Sequence, residues 1–408
     1  MSNKTPENSR RLNEVKQKYI GGKMMIAFLA MLGAFPALTT DLYLPALPTM
    51  AKFFTVPEAM TNLTLIVFFI SFSVLTLVWG PVSDKIGRKP VLIIGTLCYL
   101  VSSFLCAVAP SILILILARI FQGVGGASAY AMGTAIIKDL YSGRKRESIL
   151  SVVQSMVVIC PTIAPMIGAL ILNFTSWRGV FYLQCVFGVI VFFGSLLFCE
   201  TNPEKLTGRL LSVFGRLIVV MKNPPFALLV VLFSINNMAQ MAYIGLSSYI
   251  YQDYYGLSSQ VYSFFFAFNA VMMIGGPFIY MGLSKLISRS TIISICLIIC
   301  TLSGVSVIGV SHFGPIAFAL ALVPSFLAAS CIRPPGVFLM LEQQKHDTGS
   351  ASSLINAMLM IMGTLGVACA SLNIMPFVYL VGIMNVIIGL VSLILWLSKG
   401  RQFAANTK

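Results

Sequence analysis

The chain has 408 residues, of which 58% are hydrophobic and only 10% are charged. A water-soluble protein needs more charged surface than this to cover its apolar residues, so the composition excludes a soluble domain and predicts a protein surrounded by the lipid bilayer. The formal net charge is +15, which would favour nucleic-acid binding in a soluble protein. In a membrane protein, positive charge instead marks the loops that stay in the cytoplasm, and we expect no nucleic-acid partner.

Apolar stretches of roughly 20 residues, the length that crosses a bilayer as a helix, recur along the whole chain. They cover 24–47, 59–81, 90–109, 111–137, 148–173, 178–199, 225–251, 258–283, 290–311, 315–341, 349–371 and 375–397. The longest polar stretch between them, 200–224, separates six spans from six, and its apolar residues recur at helical spacing. This spacing predicts an amphipathic helix on the membrane surface.

The sequence therefore predicts an all-α integral membrane protein with twelve transmembrane helices in two six-helix halves. The segments are a tail (1–23), an N-terminal bundle (24–199), a linker (200–224), a C-terminal bundle (225–397) and a second tail (398–408). Of the 27 lysines and arginines, 23 lie in the tails and in the loops on one side, whereas only Lys52 and Arg178 lie on the other. Because lysine and arginine accumulate in cytoplasmic loops, we expect both termini in the cytoplasm.

A weak internal repeat supports the division into halves. A shift of 201 residues aligns Ser284, Ile287 and Arg289 with Ser83, Ile86 and Arg88, and a shift of 202 aligns 353–358 with 151–156. Duplicated six-helix halves are the plan of many transporters, whose substrate site lies where the halves meet.

A short charged segment, 80–92, joins spans 2 and 3 and reads GPVSDKIGRKPVL. Its glycines allow tight turns and close packing, Asp84 can brace a helix end, and its basic residues suit a cytoplasmic loop. The segment resembles the cytoplasmic loop signature of the major facilitator superfamily. The resemblance implies a gating role at this hinge for Gly80, Asp84, Gly87, Arg88 and Lys89.

Three ionisable residues, Asp41, Arg119 and Arg333, lie inside apolar spans, where each is costly without a partner or water. The segment around the first reads LTTDLYLPALP and resembles the first-helix signature of the Bcr/CflA branch of drug:proton antiporters. That resemblance implies that Asp41 takes part in proton coupling and in recognition of cationic substrates. A carboxylate that only caps a helix broken by Pro45 is the alternative.

Span 4 carries ARIFQGVGGA, which resembles the fourth-helix motif of the same superfamily and implies a role in proton transfer for Arg119. Arg119, Gln122 and Tyr130 fall on one helical stripe. Asp41 and Arg119 are predicted at similar depth, so that they communicate directly or through water. An arginine whose side chain only reaches toward the membrane surface is the alternative.

Span 5 carries CPTIAPMIGA, which resembles the antiporter motif of drug exporters through Pro161, Pro165 and Gly168. The superfamily form has glycine where this chain has Ala164, as the Bcr/CflA branch often does. In span 10, the run from Arg333 to Gly336 contains two prolines, which predicts a broken helix lining a cavity. For Arg333 we expect a contact with substrate or gate, or else an ion pair or a side chain reaching toward the cytoplasm.

Polar and aromatic side chains within the spans are the candidates for a substrate cavity, since such cavities are largely apolar with a few hydrogen-bonding groups. They are Tyr43, Gln122, Tyr130, Gln154, Asn236, Asn237, Gln240, Tyr243, Phe268, Asn269, Arg333 and Asn356. For any single position, simple packing is the competing interpretation.

The resemblances cover nearly the whole chain and imply a monomeric transporter in a bacterial inner membrane. They further imply that it exports small amphipathic drugs or related metabolites in exchange for protons, and so contributes to antibiotic resistance. We expect no cofactor, because the sequence has no Gly-Lys-Thr loop to cradle ATP. We also expect no metal, because the nine cysteines lack metal-like spacing.

Other functions stay open at this stage. The protein could export one endogenous compound, such as a siderophore or an amino-acid derivative, or import its substrate together with protons. A membrane-embedded enzyme is disfavoured, because the spans contain no convergent His/Asp/Glu or Ser/His set. A receptor is disfavoured as well, because the chain has no sizeable soluble domain.

Overall fold

A computed structural model describes residues 17–202, 210–344, 348–372 and 374–405, and the regular elements in these ranges are helices. The first half contains α1 (Gly22–Thr40), α2 (Leu47–Phe54), α3 (Glu58–Ile86), α4 (Arg88–Ala107), α5 (Ile112–Leu140), α6 (Gly143–Leu172) and α7 (Arg178–Leu197). The second part contains α8 (Leu210–Met221), α9 (Pro224–Tyr249), α10 (Ser259–Leu283), α11 (Arg289–Val310), α12 (Pro315–Glu342), α13 (Thr348–Ala370), α14 (Phe377–Leu395) and α15 (Arg401–Ala405).

The predicted membrane-spanning architecture is confirmed. Within the described residues, eleven helical segments are long and apolar enough to cross a bilayer, and α6 contributes the shorter apolar stretch Ile159–Leu172. Large apolar side chains on the outside of these helices are exposed, among them Phe104, Leu113 and Phe193. Such a surface is stable only against lipid, where helices satisfy their own backbone hydrogen bonds.

The helices pack as two bundles. In the first, α5 packs against α3 and α4, and α1 packs against α5 and α6; in the second, α9 packs against α13, and α11 packs against α12 and α14. The bundles meet along two helix pairs, α6 with α10 and α3 with α13. These pairs are spans 5 and 8 and spans 2 and 11, as expected for two related six-helix repeats.

Only part of the predicted linker helix can be compared with the structure, since 203–209 lie outside the described residues. The helix α8 begins at Leu210 and lies against α9 and α13. Ile218 and Val219 are exposed, whereas Val220 is buried in the core of the second bundle. One side of α8 therefore packs on the bundle and another faces outward.

The predicted break at Arg333-Pro334-Pro335-Gly336 is wrong. The helix α12 runs without interruption from Pro315 to Glu342 through both prolines. Each proline removes one backbone donor, but α12 packs against α9, α10 and α11 on several sides, and packing of this kind holds a proline-containing helix in register. Pro161 and Pro165 likewise lie inside the continuous helix α6.

Candidate functional site

The first span is broken at Asp41. The helix α1 ends at Thr40, a short 3-10 turn follows at Leu44–Ala46, and α2 then continues the span to Phe54. Asp41 is the C-cap of α1, and its side chain is buried, with 7% exposure. Its carboxylate accepts a hydrogen bond from the Thr40 hydroxyl at 3.1 Å. Within the described part of the chain, no basic side chain lies within ion-pair distance of this carboxylate.

Gly168 allows α6 to pack closely against the backbone of the break between α1 and α2. A Cβ atom at this position would lie 1.8 Å from the carbonyl oxygen of Leu42, the residue after Asp41. The 3-10 turn that follows Asp41 packs against α6 of the first bundle and against α9 and α10 of the second. Asp41 therefore lies at the seam where the first bundle meets the second.

Arg119 of α5 is fully buried, with 0% exposure, and is satisfied mainly by oxygen atoms of neighbouring helices. Its guanidinium donates to the carbonyl oxygens of Thr39 at 3.2 Å and Thr64 at 3.3 Å. It also lies 4.5 Å from the ring centroids of Tyr43 and Phe68. A cation is favoured at the carbonyl end of a helix and over aromatic faces, so Arg119 anchors the end of α1.

A hydrogen-bond network extends from Arg119 through two glutamines. Arg119 Nη1 donates to Gln122 Oε1 at 2.6 Å, and Gln122 Nε2 donates to Gln184 Oε1 and to Ser103 Oγ, each at 2.8 Å. Gln184 of α7 returns to α1 by donating to the Thr39 carbonyl at 3.1 Å. Gln184 and Ser103 were not predicted as site residues, because their signal in the sequence is weak: Gln184 is a lone amide in a strongly apolar span.

Asp41 and Arg119 approach the same helix end but form no ion pair. A direct contact between Asp41 and Arg119, one of the two possibilities predicted from the sequence, is thus absent from the described residues. The Arg119 guanidinium donates instead to the carbonyl oxygens of Thr39 and Thr64. One nitrogen, Nη2, has no hydrogen-bond partner in the part of the chain that the structure describes. Tyr43, a predicted cavity residue, is fully buried and pairs with Thr64 Oγ1 at 3.1 Å.

The hinge segment forms a charged network around Arg88. Its guanidinium lies 2.6 Å from Asp84 Oδ1 and donates through Nε to Asp139 Oδ2 at 3.0 Å, and it also donates to the Ser83 hydroxyl. Thr201 adds a hydrogen bond to Asp139 at 3.2 Å. The network therefore joins α3, α4 and α5 to the chain that leaves α7. Asp139, which lies just after span 4, was not among the residues predicted for the hinge.

Glu200 caps the helix α4 from the same linker. Its carboxylate accepts from the backbone N–H groups of Arg88 at 2.9 Å and Lys89 at 3.0 Å, which are unpaired donors at a helix start. Gly87 makes the junction possible, because its φ of 110° is unfavourable for other residues. Lys89 Nζ donates to the Leu196 carbonyl at 2.9 Å, whereas no atom lies within 4 Å of a Cβ placed on Gly80.

Four of the predicted cavity residues lie together in the second bundle. Asn236, Asn237 and Gln240 of α9 and Arg333 of α12 line one cavity of about 40 Å³. The Asn236 amide donates to Ser392 Oγ at 3.1 Å, and that of Asn237 donates to the Leu359 carbonyl at 2.7 Å. In this conformation the cavity has room for a small polar group but not for a drug-sized molecule.

The other candidates do not join this cavity. Tyr243 and Asn269 are buried and bonded to each other at 2.7 Å, which is the packing alternative. Tyr130 is half-buried against Phe72, with ring centroids 5.7 Å apart. Phe268 is half-buried, Asn356 is exposed, and the side chain of Gln154 lies outside the described residues.

The two bundles are closed against each other at the face opposite the chain termini. One apolar core there contains residues of both bundles, such as Leu44, Phe68, Tyr251 and Phe318. Polar contacts between the bundles at this face are Lys52 with Asp253 at 2.8 Å, Thr61 with Tyr249 at 2.6 Å, Gln252 with the Pro45 carbonyl at 3.0 Å, Ser263 with the Pro165 carbonyl at 3.0 Å, and Gln260 with Asn173.

The face that carries the termini is different. There the described buried apolar residues form two separate cores, one within each bundle. A contiguous core holds helices together, whereas separate cores leave a seam that can part. The structure is therefore closed at the face opposite the termini, and the halves are less tightly joined at the termini face.

Comparison with known proteins identifies the family. Residues 25–367 match the family model of the Major Facilitator Superfamily. The chain belongs to this superfamily. It is therefore a multi-pass membrane transporter and not an enzyme, and its substrates are small molecules.

Several individual proteins are similar to this transporter. The uncharacterized MFS-type transporter YdgK of Bacillus subtilis is 28% identical over 353 residues, which is 84% of this chain and 87% of that protein. The multidrug resistance protein MdtL of Salmonella paratyphi B is 32% identical over 191 residues, 47% of this chain and 48% of that protein. A crystal structure of the peptide transporter POT in complex with sulfate has the same fold, with a TM-score of 0.74 at 14% identity over 93% of this chain and 95% of that one.

Proposed function

We propose that this transporter exports small amphipathic drugs or related metabolites in exchange for protons, by alternating access, in the inner membrane of a bacterium. The observation that carries the proposal is the buried Asp41 carboxylate, which has no basic partner among the described residues and lies at the seam between the bundles. The similarity of half the chain to a multidrug resistance protein supports drug export. The Bcr/CflA-like run around Asp41 supports proton exchange.

Asp41 is proposed to carry the exchanged proton. A carboxylate in a low-dielectric interior without a counter-charge is stable only when protonated, and it can ionise once water or a partner reaches it. Rocking of the bundles about the α6–α10 seam would change the access of water to this position. Arg119 supports the cycle by holding the end of α1, and its unpartnered Nη2 is a donor for an acceptor that arrives in another state.

The orientation and the role of the hinge also belong to the proposal. With both termini in the cytoplasm, the closed face is the outer one, so this conformation is accessible from the inside. The protein acts as a monomer, with bundles at 24–199 and 225–397 joined by the linker 200–224. The network of Asp84, Arg88 and Asp139 keeps the helices of the first bundle together while the bundles part.

Purified protein in liposomes that contain a pH-sensitive dye tests the proposal. A panel of amphipathic antibiotics is first screened in cells that express the protein, and a compound to which it confers resistance is used in the liposomes. We expect wild-type protein to move protons against this compound, and Asp41→Asn to abolish proton movement. Glu58→Gln, a carboxylate at the start of α3, is the matched control and should behave as wild type. Proton counterflow that persists in Asp41→Asn would remove Asp41 from the mechanism.

A further inference from the structure

Arg333 lies within the apolar helix α12, yet it has no partner among the described residues. Within the described chain, no hydrogen bond, ion pair or aromatic contact involves its guanidinium, in contrast to Arg119. Its side chain is solvent-exposed although it lies deep inside the protein, because it faces the cavity between helices and not the lipid. A charged side chain in this environment is expensive unless it serves a ligand or a water-filled path.

Among the described residues that line the cavity, there are hydrogen-bond donors beside Arg333 but no acidic residue. The cavity lining includes the amides of Asn236, Asn237 and Gln240, while the remaining residues are apolar. Tyr130 of α5, in the first bundle, lies within electrostatic range of the guanidinium. The hydroxyl of Tyr130 and the amide of Gln240 have no hydrogen-bond partner among the described residues.

The lining also contains both polar and apolar residues. Arg333 and Gln240 face the same space as Phe233, Ile332 and Leu359. A carboxylate fits a guanidinium through two parallel hydrogen bonds, and the desolvated site strengthens them. The cavity volume of about 40 Å³ suits such a group, and the cavity is partly open, so that the body of a larger ligand would extend beyond it.

We propose that this wall is the head-group site for an amphipathic organic anion, with its carboxylate bound by Arg333 and its apolar body against Phe233, Ile332 and Leu359. The proposal rests on the proposed transport function and narrows its substrate class. The substrate charge in this proposal is opposite to the one that the first-helix resemblance implies, which is that of a cation. The difference arises because the Asp41 side chain is buried whereas the Arg333 side chain is exposed to the cavity.

Binding to purified transporter in lipid nanodiscs tests the sign of the substrate without any proton gradient. The probes are dansyl-leucine and its uncharged primary amide, which share one apolar body and differ by the carboxylate. We expect the wild-type protein to bind the acid at least about tenfold more tightly, since a single charge-assisted contact is worth that factor or more. Arg333→Gln should bind both probes equally, and Arg333→Lys should keep part of the preference.

Arg289→Gln is the matched control, because Arg289 is stacked on Phe338 at 4.1 Å at the start of α11 and does not line the cavity. It should keep the full preference for the acid. Equal binding of the two probes by wild-type protein, or a preference that survives in Arg333→Gln, would overturn the proposal. Because the wild-type comparison needs no variant, a folding defect in Arg333→Gln does not leave the question open.

The same measurement separates this proposal from proton coupling. Asp41→Asn should retain the preference for the acid, because Asp41 does not line the cavity. A protein that prefers the acid but moves no protons would contradict the proposed exchange and leave the anion site standing. A protein that exchanges protons but binds acid and amide equally would contradict the anion site alone.

Discussion

Two arginines lie at membrane depth, and their surroundings assign them different tasks. Arg119 is enclosed by the carbonyl oxygens of Thr39 and Thr64, by Gln122 and by two aromatic rings. Arg333 faces a cavity without a partner among the described residues. Both residues are arginines within apolar spans, but among the described residues only Arg119 makes hydrogen bonds that hold helices together.

Replacement of each arginine by lysine separates these tasks. Lysine keeps the charge but cannot reproduce a planar fork of donors, so Arg119→Lys should leave carbonyl oxygens of α1 and α3 unpaired. We expect Arg119→Lys to lower the free energy of unfolding by roughly 2–3 kcal/mol and Arg333→Lys to change it little. Thermal unfolding in a mild detergent measures both. A larger loss for Arg333→Lys than for Arg119→Lys would contradict this assignment.

At the scale of the helix, breaks and close contacts decide where the site lies. The break between α1 and α2 places Asp41 at the end of a helix within the membrane, and Gly168 lets α6 pack directly on the backbone of that break. The prolines inside α6 and α12 do not interrupt their helices. In this protein, a glycine that contacts another backbone therefore indicates the position of the site better than a proline does.

Two glycines from the sequence motifs give a matched test. Gly168→Ala would place a Cβ atom 1.8 Å from the Leu42 carbonyl oxygen, so α6 and the break beside Asp41 must move apart. We expect a loss of stability of about 1–3 kcal/mol, as for an overpacked core, together with weaker transport. Gly80→Ala should be neutral or slightly stabilising, because the space around Gly80 is open. Transport assays and thermal unfolding of both variants provide the comparison, and equal effects would refute it.

The helices were predictable because length and apolar content are strong signals in a membrane protein. The partners within the site were not. Gln184 and Glu200 act through contacts with Gln122 and with the start of α4, and one amide in an apolar span or one acid at a span end carries little sequence signal. Asn236 and Arg333 line the same cavity, whereas Tyr243 lies in the apolar core.

At the scale of the whole molecule, the two bundles share one apolar core at the face opposite the termini and have separate cores at the termini face. Closure at the first face depends on neutral hydrogen bonds, such as Thr61 with Tyr249, and on one exposed ion pair, Lys52 with Asp253. An exposed pair of this kind contributes about 0–1 kcal/mol. The apolar core therefore supplies most of the closure.

The orientation of the whole molecule can be tested by labelling. In a variant that lacks the nine native cysteines, Lys52→Cys should react with a membrane-impermeant maleimide in intact cells. Lys145→Cys, near the start of α6, should react only after the cells are opened. The expectation follows from the concentration of lysine and arginine on the side of the termini. Reversal of either result would overturn the span count or the orientation.

Lys52 and Asp253 are 201 positions apart, which is the shift that aligns the hinge of the first half with its counterpart in the second. They therefore occupy the same position in the two repeats and meet near the axis that relates the halves. Two identical charged side chains at such a position would repel each other, whereas lysine and aspartate attract. The opposite charges of Lys52 and Asp253 therefore distinguish the two halves at the point where they meet.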